Sequence, residues 1–553
     1  MARSIALYHP SAGVRPKHNP FGKDVANVEL FKAVLRYADV DRVDFLTGAQ
    51  VSPADLVMGL TPGEVARPQV ATTHLLDLGP AKDAGALVRG VPELTDMAWL
   101  RRQVGLENAY SLVGMVHTLA PPAMREMIAK AAVAPMQPWD ALICTSPVVQ
   151  ESLVEMFDEW TGYLADRYGG TKQIRPHLPL LPLGVEGAAF AALADRPDVR
   201  AATREEMGVG PDDIVVMWVG RLSFFEKAFP QPMFRAAEEA ARASGVKVHF
   251  ALVGWFPDPA LHREMYQETV QAYAPSVSVH YLNGNDSDLV GRMWAAGDIF
   301  LSLVDNIQET FGITPLEAMA AGMPVVASDW DGYRFTIRDG IDGFLVRSLG
   351  GPRGAGQGLL NRHLHMGLTY QAYVGSVAQH TAINVGDAAA RIADLIASPE
   401  LRAKMRDAGR RRIRETFDWK VVVAGLQELL TELEAIRLAA QPEELKYTRN
   451  PTKTEPYGAF ARFATSVLGA GTRVVARPGI TLADLERTKT IRLDDYASGA
   501  RASHEESVAM LTRLIAEGEL SVRELVAPFP QNRQQLLGMS IVWMCKLGLL
   551  DWR

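Results

Sequence analysis

Apolar runs and helical stripes alternate along most of this chain. IALYHP at 5–10 predicts a short strand, and the polar turn after it holds Phe21, Gly22, Lys23 and Asp24. From Asp24, a good N-cap residue, Val25, Val28, Phe31 and Leu35 fall on one helical face. VDFL (43–46), YSLVGMV (110–116) and ALICTS (141–146) are near-continuous apolar runs, the pattern of strands covered on both faces. LPLLPLGV (178–185), with its prolines and glycine, predicts a hinge. A second block repeats the rhythm: IVVMWVG (214–220), a helix near 231–243, VHFALVG (248–254), VSVHYL (277–282), a helix near 286–296, DIFLSL (298–303) and PVVAS (324–328). Strands separated by helices predict an α/β chain with two Rossmann-like domains, 1–185 and 186–415, facing a cleft. Ligands of such sheets lie beyond the carboxyl ends of the strands.

The rhythm fails over 351–386, which reads as an insertion or irregular loop with at most a short helix. Stretches 398–417 and 419–437 are helical in pattern. Pro442 and the polar run KYTRNPTKTEP place a linker at 441–456. Beyond it, 457–553 predicts a small, mainly helical module. Its order of helix, short extended piece, helix, helix and terminal Gly-Leu-Leu is like that of a winged helix.

Composition narrows the class. A chain of 553 residues, 48% hydrophobic and 22% charged, suits a multi-domain globular protein. Its two cysteines, Cys144 and Cys545, lie far apart in apolar stretches, which argues against a disulfide framework and fits a reducing compartment. MARSIALYHP lacks the pattern of a signal peptide, and no apolar run is long enough for a bilayer. The expected location is therefore the cytoplasm, with peripheral contact at the inner face of a membrane still compatible. Net charge is −7, while 446–553 carries 15 basic against 11 acidic residues, too small a surplus to predict nucleic-acid binding.

The candidate chemistry centres on ETFGITPLEAMAAGMPVVASD, 309–329. Thr314-Pro315-Leu316-Glu317 has the form of a capped helix start, which makes Glu317 a capping-box acid on local grounds. Glu309 follows a strand end, and Gly312 lets a ligand approach a helix N-terminus, where free N–H groups attract phosphate. Carboxylates on either side of an anion site suit a ligand with both phosphates and hydroxyls. For Glu317, cap and ligand contact both stand.

These segments resemble the retaining GT-B glycosyltransferases of family 4, the group like glycogen synthase and the mannosyltransferases. The resemblance spans about 1–437 and is strongest over 214–346. It rests on VGRLSFFEK, AAGDIFLSL, ETFGITPLE, AMAAGMPVVASDWDG and DGIDGFLV, with SLVGMVHTL and LPLLPLGVEGAAF on the N-terminal side. It implies the GT-B fold and transfer of a sugar from a nucleoside-diphosphate sugar with retention. Arg221 and Lys227, just past Gly220, would hold the diphosphate, where two cations answer the charge of the leaving group. Glu309 would bond sugar hydroxyls and Glu317 the ribose, while Phe311, Gly312 and Ile313 would offer backbone contacts. His117 would face the donor sugar, Gly22 would sit near the reacting centre, and helix 416–440 would cross back onto the N-terminal domain.

The chain departs from the family in places. Members often carry Gly-Gly in the first turn, where this chain has Phe21-Gly22-Lys23; Lys23 could instead meet an anionic acceptor or a phosphate. The insertion and the 457–553 module also lie outside the common pattern.

No metal or other cofactor is expected. Asp329-Trp330-Asp331 looks like a D-x-D metal motif but leads into a glycine turn, and His363 with His365 is too small a set for zinc. The expected partners are a nucleotide-sugar donor and an acceptor that could be a glycan, lipid-linked or a small molecule. The tail is open to self-association or to a protein partner. Rival readings are a GT-B epimerase or phosphorylase, for which no pyridoxal-phosphate lysine segment stands out, and a non-catalytic scaffold whose tail binds a partner or nucleic acid.

Overall fold

The computed structural model describes residues 3–9, 22–170, 174–441 and 446–553, with the backbone alone for 22–24. It divides into two compact units, Met1–Arg449 and Asn450–Arg553. Phe21 and Pro442 lie outside the described residues.

The first unit holds two six-stranded sheets. One contains β1 (Ser4–His9), β2 (Arg42–Thr47), β3 (Gln69–His74), β4 (Ala86–Arg89), β5 (Ser111–Val116) and β6 (Ala141–Cys144). Its order is β3-β2-β1-β4-β5-β6, and every pairing is parallel. The other contains β7 (Ile214–Arg221), β8 (Val248–Trp255), β9 (Ser278–Asn283), β10 (Ile299–Ser302), β11 (Val325–Ser328) and β12 (Gly343–Val346). Its order, β12-β11-β10-β7-β8-β9, repeats the same winding, again all parallel. These are the two Rossmann-like sheets the pattern predicts. In each, strand order reverses beside the first strand, between β1 and β4 and between β7 and β10, and that crevice is where such sheets receive ligands.

Three strands are harder to read from the pattern. β3, QVATTH, is a half-exposed edge strand, β12 is a four-residue edge strand, and β4 is four residues long. The first helix, Gly22–Tyr37, begins two residues before Asp24, so Asp24 lies in its first turn instead of capping it.

The chain crosses between the two sheets twice, side by side. Val185 N–H donates to Phe417 C=O at 2.8 Å, and Trp419 N–H donates to Val185 C=O at 3.2 Å. Helix Trp419–Ala439 then buries Val422, Leu426, Leu429 and Leu433 against the N-terminal part. Asp39 N–H donates to Gln427 Oε1 at 3.2 Å, and Arg437 Nη1 donates to Asn108 C=O at 3.1 Å. The buried apolar cluster runs without a break from Leu7 and Phe45, through this helix, to Val216 and Phe300.

The 351–386 stretch corrects the sequence expectation. It forms two helices, Gln357–His365 and Tyr370–Ala378, the second capped by Thr369. Ser348–Leu349 pairs antiparallel with Ala382–Ile383 and closes its base. The helices escape the pattern because glycines precede the first, which buries no residue fully, leaving its apolar stripe faint.

The second unit packs helices His504–Glu517, Val522–Val526 and Gln534–Lys546 around Leu511, Leu525, Ile541 and Met544. Capping boxes at Ser503/Glu506 and Ser521/Glu524 fix two of the helix starts. A three-stranded antiparallel sheet, with Arg473–Ala476 between Leu520–Ser521 and Leu550–Trp552, completes it. Among the described residues no helix is long and apolar enough to cross a membrane.

Candidate functional site

β7 delivers Arg221 to its carboxyl end, one residue after Gly220, whose φ of +148° favours glycine. In the loop that follows, Glu226 N–H donates to Ser223 Oγ at 3.2 Å and Lys227 N–H to Ser223 C=O at 2.9 Å. This turn presents one charge of each sign, Glu226 and Lys227. Arg221 Nη1 donates to Glu226 Oε2 at 2.5 Å, and its guanidinium lies 5.9 Å from the Trp255 ring centroid. Lys227 Nζ is ion-paired with Glu309 Oε2. Lys227 and Glu309 thus meet at the β7/β10 crevice from positions 82 residues apart, and Arg221 is held by Glu226, the residue before Lys227.

The loop that carries Glu309 is fastened on several sides. Asn306 Nδ2 donates to Phe225 C=O at 2.9 Å, Gln308 Nε2 to Glu226 C=O at 3.0 Å, and Trp330 Nε1 to Asn306 C=O at 3.1 Å. Asp305, deep beside them, accepts from Phe229 N–H at 3.3 Å, and burial holds its carboxyl well above the ordinary range. The insertion joins in: Tyr370 Oη donates to Gln308 Oε1 at 2.8 Å, and Gln371 Nε2 to Glu226 Oε1 at 3.4 Å.

The helix after this loop starts earlier than the Thr-Pro signal predicts. Gly312 occupies the N-cap at φ +79°, and helix Ile313–Ala321 follows. A Cβ on Gly312 would fall 1.9 Å from the Tyr333 ring, so tertiary packing and not Thr314 decides where the helix begins. Pro315 then sits third, where its missing N–H leaves no helical bond unmade. The capping-box reading of Glu317 is therefore wrong. Glu317 projects from the second turn into a crowded site, where burial first, and then the negative charge of Glu29, push its carboxyl up to about 7 against the pull of Lys227. Phe311 is 2% exposed and packs edge-on to Phe417, so its backbone is the part left for a ligand.

His117 comes from the end of β5. Its Nε2 faces two acceptors, Gly90 C=O at 2.8 Å and Asn27 Oδ1 at 2.9 Å, so that nitrogen carries the proton. Its carbonyl receives a hydrogen bond from Thr310 Oγ1 at 2.6 Å, which ties the loop that carries Glu309 to the N-terminal sheet. Asn27 lies near the start of the helix opened by Gly22, so Gly22 is brought to the same end of the sheet; the side chains of Lys23 and Asp24 are outside the description. A second link between the sheets is Ser146 Oγ donating to Asp331 Oδ1 at 3.2 Å.

Glu226 stands out in no sequence motif, and Asp331 belongs to the Asp329-Trp330-Asp331 run whose expected role is structural or donor-proximal and not metal-binding. Asp331 has φ +38°, a left-handed conformation rare outside glycine. Burial and the neighbouring charge of Glu309 push its carboxyl up to about 7. The only hint in the sequence was the Asp-Gly pair at 331–332, a turn signal. Among the described residues no three His, Cys, Asp or Glu side chains converge as metal ligands would.

The raised carboxyl of Glu317 has a measurable sign. Between its ordinary 4.5 and about 7 the folded chain holds a proton that the unfolded chain has lost, so this group erodes stability as pH rises through that window. Glu317→Gln removes the loss. Its melting temperature should gain on that of the unsubstituted chain from about pH 5 to about pH 7.5, and a gap that stays constant with pH would contradict the assignment.

Residues 213–354 match the family model of the glycosyl transferases group 1. The D-inositol 3-phosphate glycosyltransferase of Nocardia farcinica is 30% identical over 254 residues, taking in 45% of this chain and 54% of that protein. The enzyme of the same name from Acidothermus cellulolyticus is 30% identical over 288 residues, 51% and 61% of the two chains. The match therefore spans little more than half the length of these curated relatives. Among solved structures, HepE of Anabaena in complex with UDP aligns over 78% of this chain and all of that one, at 14% identity and a TM-score of 0.48.

Proposed function

We propose that this chain transfers a glycosyl group from a nucleoside-diphosphate sugar to a hydroxyl acceptor, with retention of anomeric configuration. The observation that carries the reading is the Lys227–Glu309 ion pair at the β7/β10 crevice, with Arg221 held by Glu226 next to Lys227, inside the stretch that matches the group 1 glycosyl transferases. A diphosphate offers both cations better partners than the carboxylates they hold, since phosphate oxygens carry more charge and accept more hydrogen bonds. In exchanging Glu309 for phosphate, Lys227 frees that carboxylate to accept bonds from sugar hydroxyls.

Retention follows if the acceptor hydroxyl attacks on the face the diphosphate leaves. The departing phosphate then takes the hydroxyl proton, and Arg221 and Lys227 stabilise the charge that builds on it. Two cations at the leaving group supply the neutralisation for which other transferases use a divalent ion, so no metal has a role in this scheme. Glu317, on the helix behind the phosphates, takes the ribose. His117, its Nε2 proton committed to Gly90 and Asn27, positions the sugar from the N-terminal side. The curated relatives are named for D-inositol 3-phosphate, which makes a polyol phosphate one acceptor to try.

Donor binding is the first test. In a thermal-shift screen of UDP-, GDP-, ADP- and dTDP-sugars, at least one should stabilise the chain by about 2.7 kcal/mol at a hundredfold excess over its Kd. A flat response to all four would overturn the proposal.

A further inference from the structure

Beside the donor loop, a cavity of about 690 Å³ opens between the two sheets. Much of its lining is apolar: Leu119 and Val148 from the N-terminal side, Ile307 from the loop after β10, and Leu360, Leu364 and Tyr373 from the insertion. Leu364 leaves 47% of its surface exposed and lies in the lining with Leu360 and Tyr373. Arg125 and Glu126 are exposed at the rim. Deeper in the wall lies Asp331, partly buried and held at φ +38°. A left-handed backbone in a residue other than glycine is strain that the surrounding structure sustains, and such strain gathers at sites that grip ligands. Thr310, the residue after Glu309, forms part of the same wall, so the cavity and the donor loop share a boundary.

We propose that this cavity is the acceptor site and that it takes an amphipathic alcohol, a hydroxylated head carrying an apolar tail. The inference rests on the glycosyl-transfer reading for the reaction, but the cavity's binding preference can be measured apart from it. The head lies against Asp331, whose carboxylate accepts a hydrogen bond from one hydroxyl and so turns a second towards the anomeric carbon. That oxygen forms the new bond as the carbon–phosphate-oxygen bond breaks. The bonding pair leaves with the diphosphate, and the hydroxyl proton follows to a phosphate oxygen. The tail runs along Leu360, Leu364 and Tyr373. These three come from the two helices at 357–378, so the insertion is what gives this chain its taste for an apolar aglycone. Asp331 acts here as a positioning residue.

The probes are n-octyl β-D-glucopyranoside, kept below its micelle concentration, and methyl β-D-glucopyranoside. Their binding to the full chain is measured by saturation-transfer NMR. The octyl compound should bind at least tenfold more tightly than the methyl compound. Leu364→Ser, at an exposed position where folding is not at stake, should bring that ratio close to one, and Asp331→Asn should weaken both ligands together. Equal binding of the two probes by the unsubstituted chain, or a preference that Leu364→Ser leaves intact, would overturn the proposal. A UDP titration of the unsubstituted chain separates the two readings: no UDP binding beside a clear octyl preference would overturn the donor assignment while the cavity stood.

Discussion

Replacing Lys227 with alanine is expected to lower turnover by roughly two to three orders of magnitude, the usual cost of removing one group that stabilises charge in the transition state. The structure makes the loss more than the removal of one cation. Lys227 is ion-paired with Glu309, its charge reaches Glu317, and Glu309 in turn acts on Asp331. Without the ammonium these carboxyls face one another unbalanced, and an incoming diphosphate meets repulsion where it needs attraction. The loss should therefore appear both in kcat and in donor affinity. Glu309→Ala should impair sugar use, and the double variant should cost less than the sum of the two single ones, because the pair acts as one unit. Steady-state kinetics with the donor found by thermal shift decide the matter, and a Lys227→Ala enzyme with unchanged kcat would remove this residue from the mechanism.

Asp140→Ala should be the most damaging single change to stability, costing about 3–5 kcal/mol in the N-terminal part, the typical penalty for orphaning one member of a buried ion pair. Arg101 and Asp140 are both fully buried. The guanidinium donates Nη1 and Nη2 to the two carboxylate oxygens at 2.7 Å each, and Nη1 also donates to Tyr110 C=O at 2.8 Å. Asp140 further accepts from Leu112 N–H at 2.8 Å and Gln137 N–H at 2.7 Å. Removing it strands a charge and two backbone donors at once. Replacing the pair by Met and Leu should recover much of the loss, since no uncompensated charge then remains inside. Urea unfolding of the two variants beside the unsubstituted chain tests this, and a loss under about 1 kcal/mol for Asp140→Ala would mean that water or a neighbour takes over its bonds.

The two sheets were legible because buried parallel strands are nearly unbroken apolar runs: β1, β2, β5 to β8, β10 and β11 all announce themselves this way. Edge strand β3 does not, since its side chains meet solvent in part and its place in the sheet comes from pairing with β2. The same division holds at the site. Resemblance gathered Arg221, Lys227, Glu309 and Glu317 into one region, and the structure brings Lys227, Glu309 and Glu317 within electrostatic reach of one another. That Lys227 would face Glu309 depends on how loops 82 residues apart dock, and no local pattern holds that information. Glu317 shows the opposite failure. Its capping signal is locally sound, but the ring of Tyr333 crowds Gly312 into a left-handed turn and begins the helix without Thr314. Arg101 and Asp140 gave no signal at all, being two charges among many until the fold closed over them.

Helix Trp419–Ala439 finishes the N-terminal half from the far side of the other half. During synthesis this reverses the natural order of assembly. The strands β1 to β6 leave the ribosome first, yet one flank of their core stays open until a further two hundred or more residues have been made, on the order of tens of seconds at ordinary elongation rates. The stretch from β7 to β12 is continuous and can close on itself meanwhile. The second half of the molecule thus folds before the first is complete. A chain cut short before residue 419 would display the apolar face of helix Gly22–Tyr37, a ready target for chaperones and proteases.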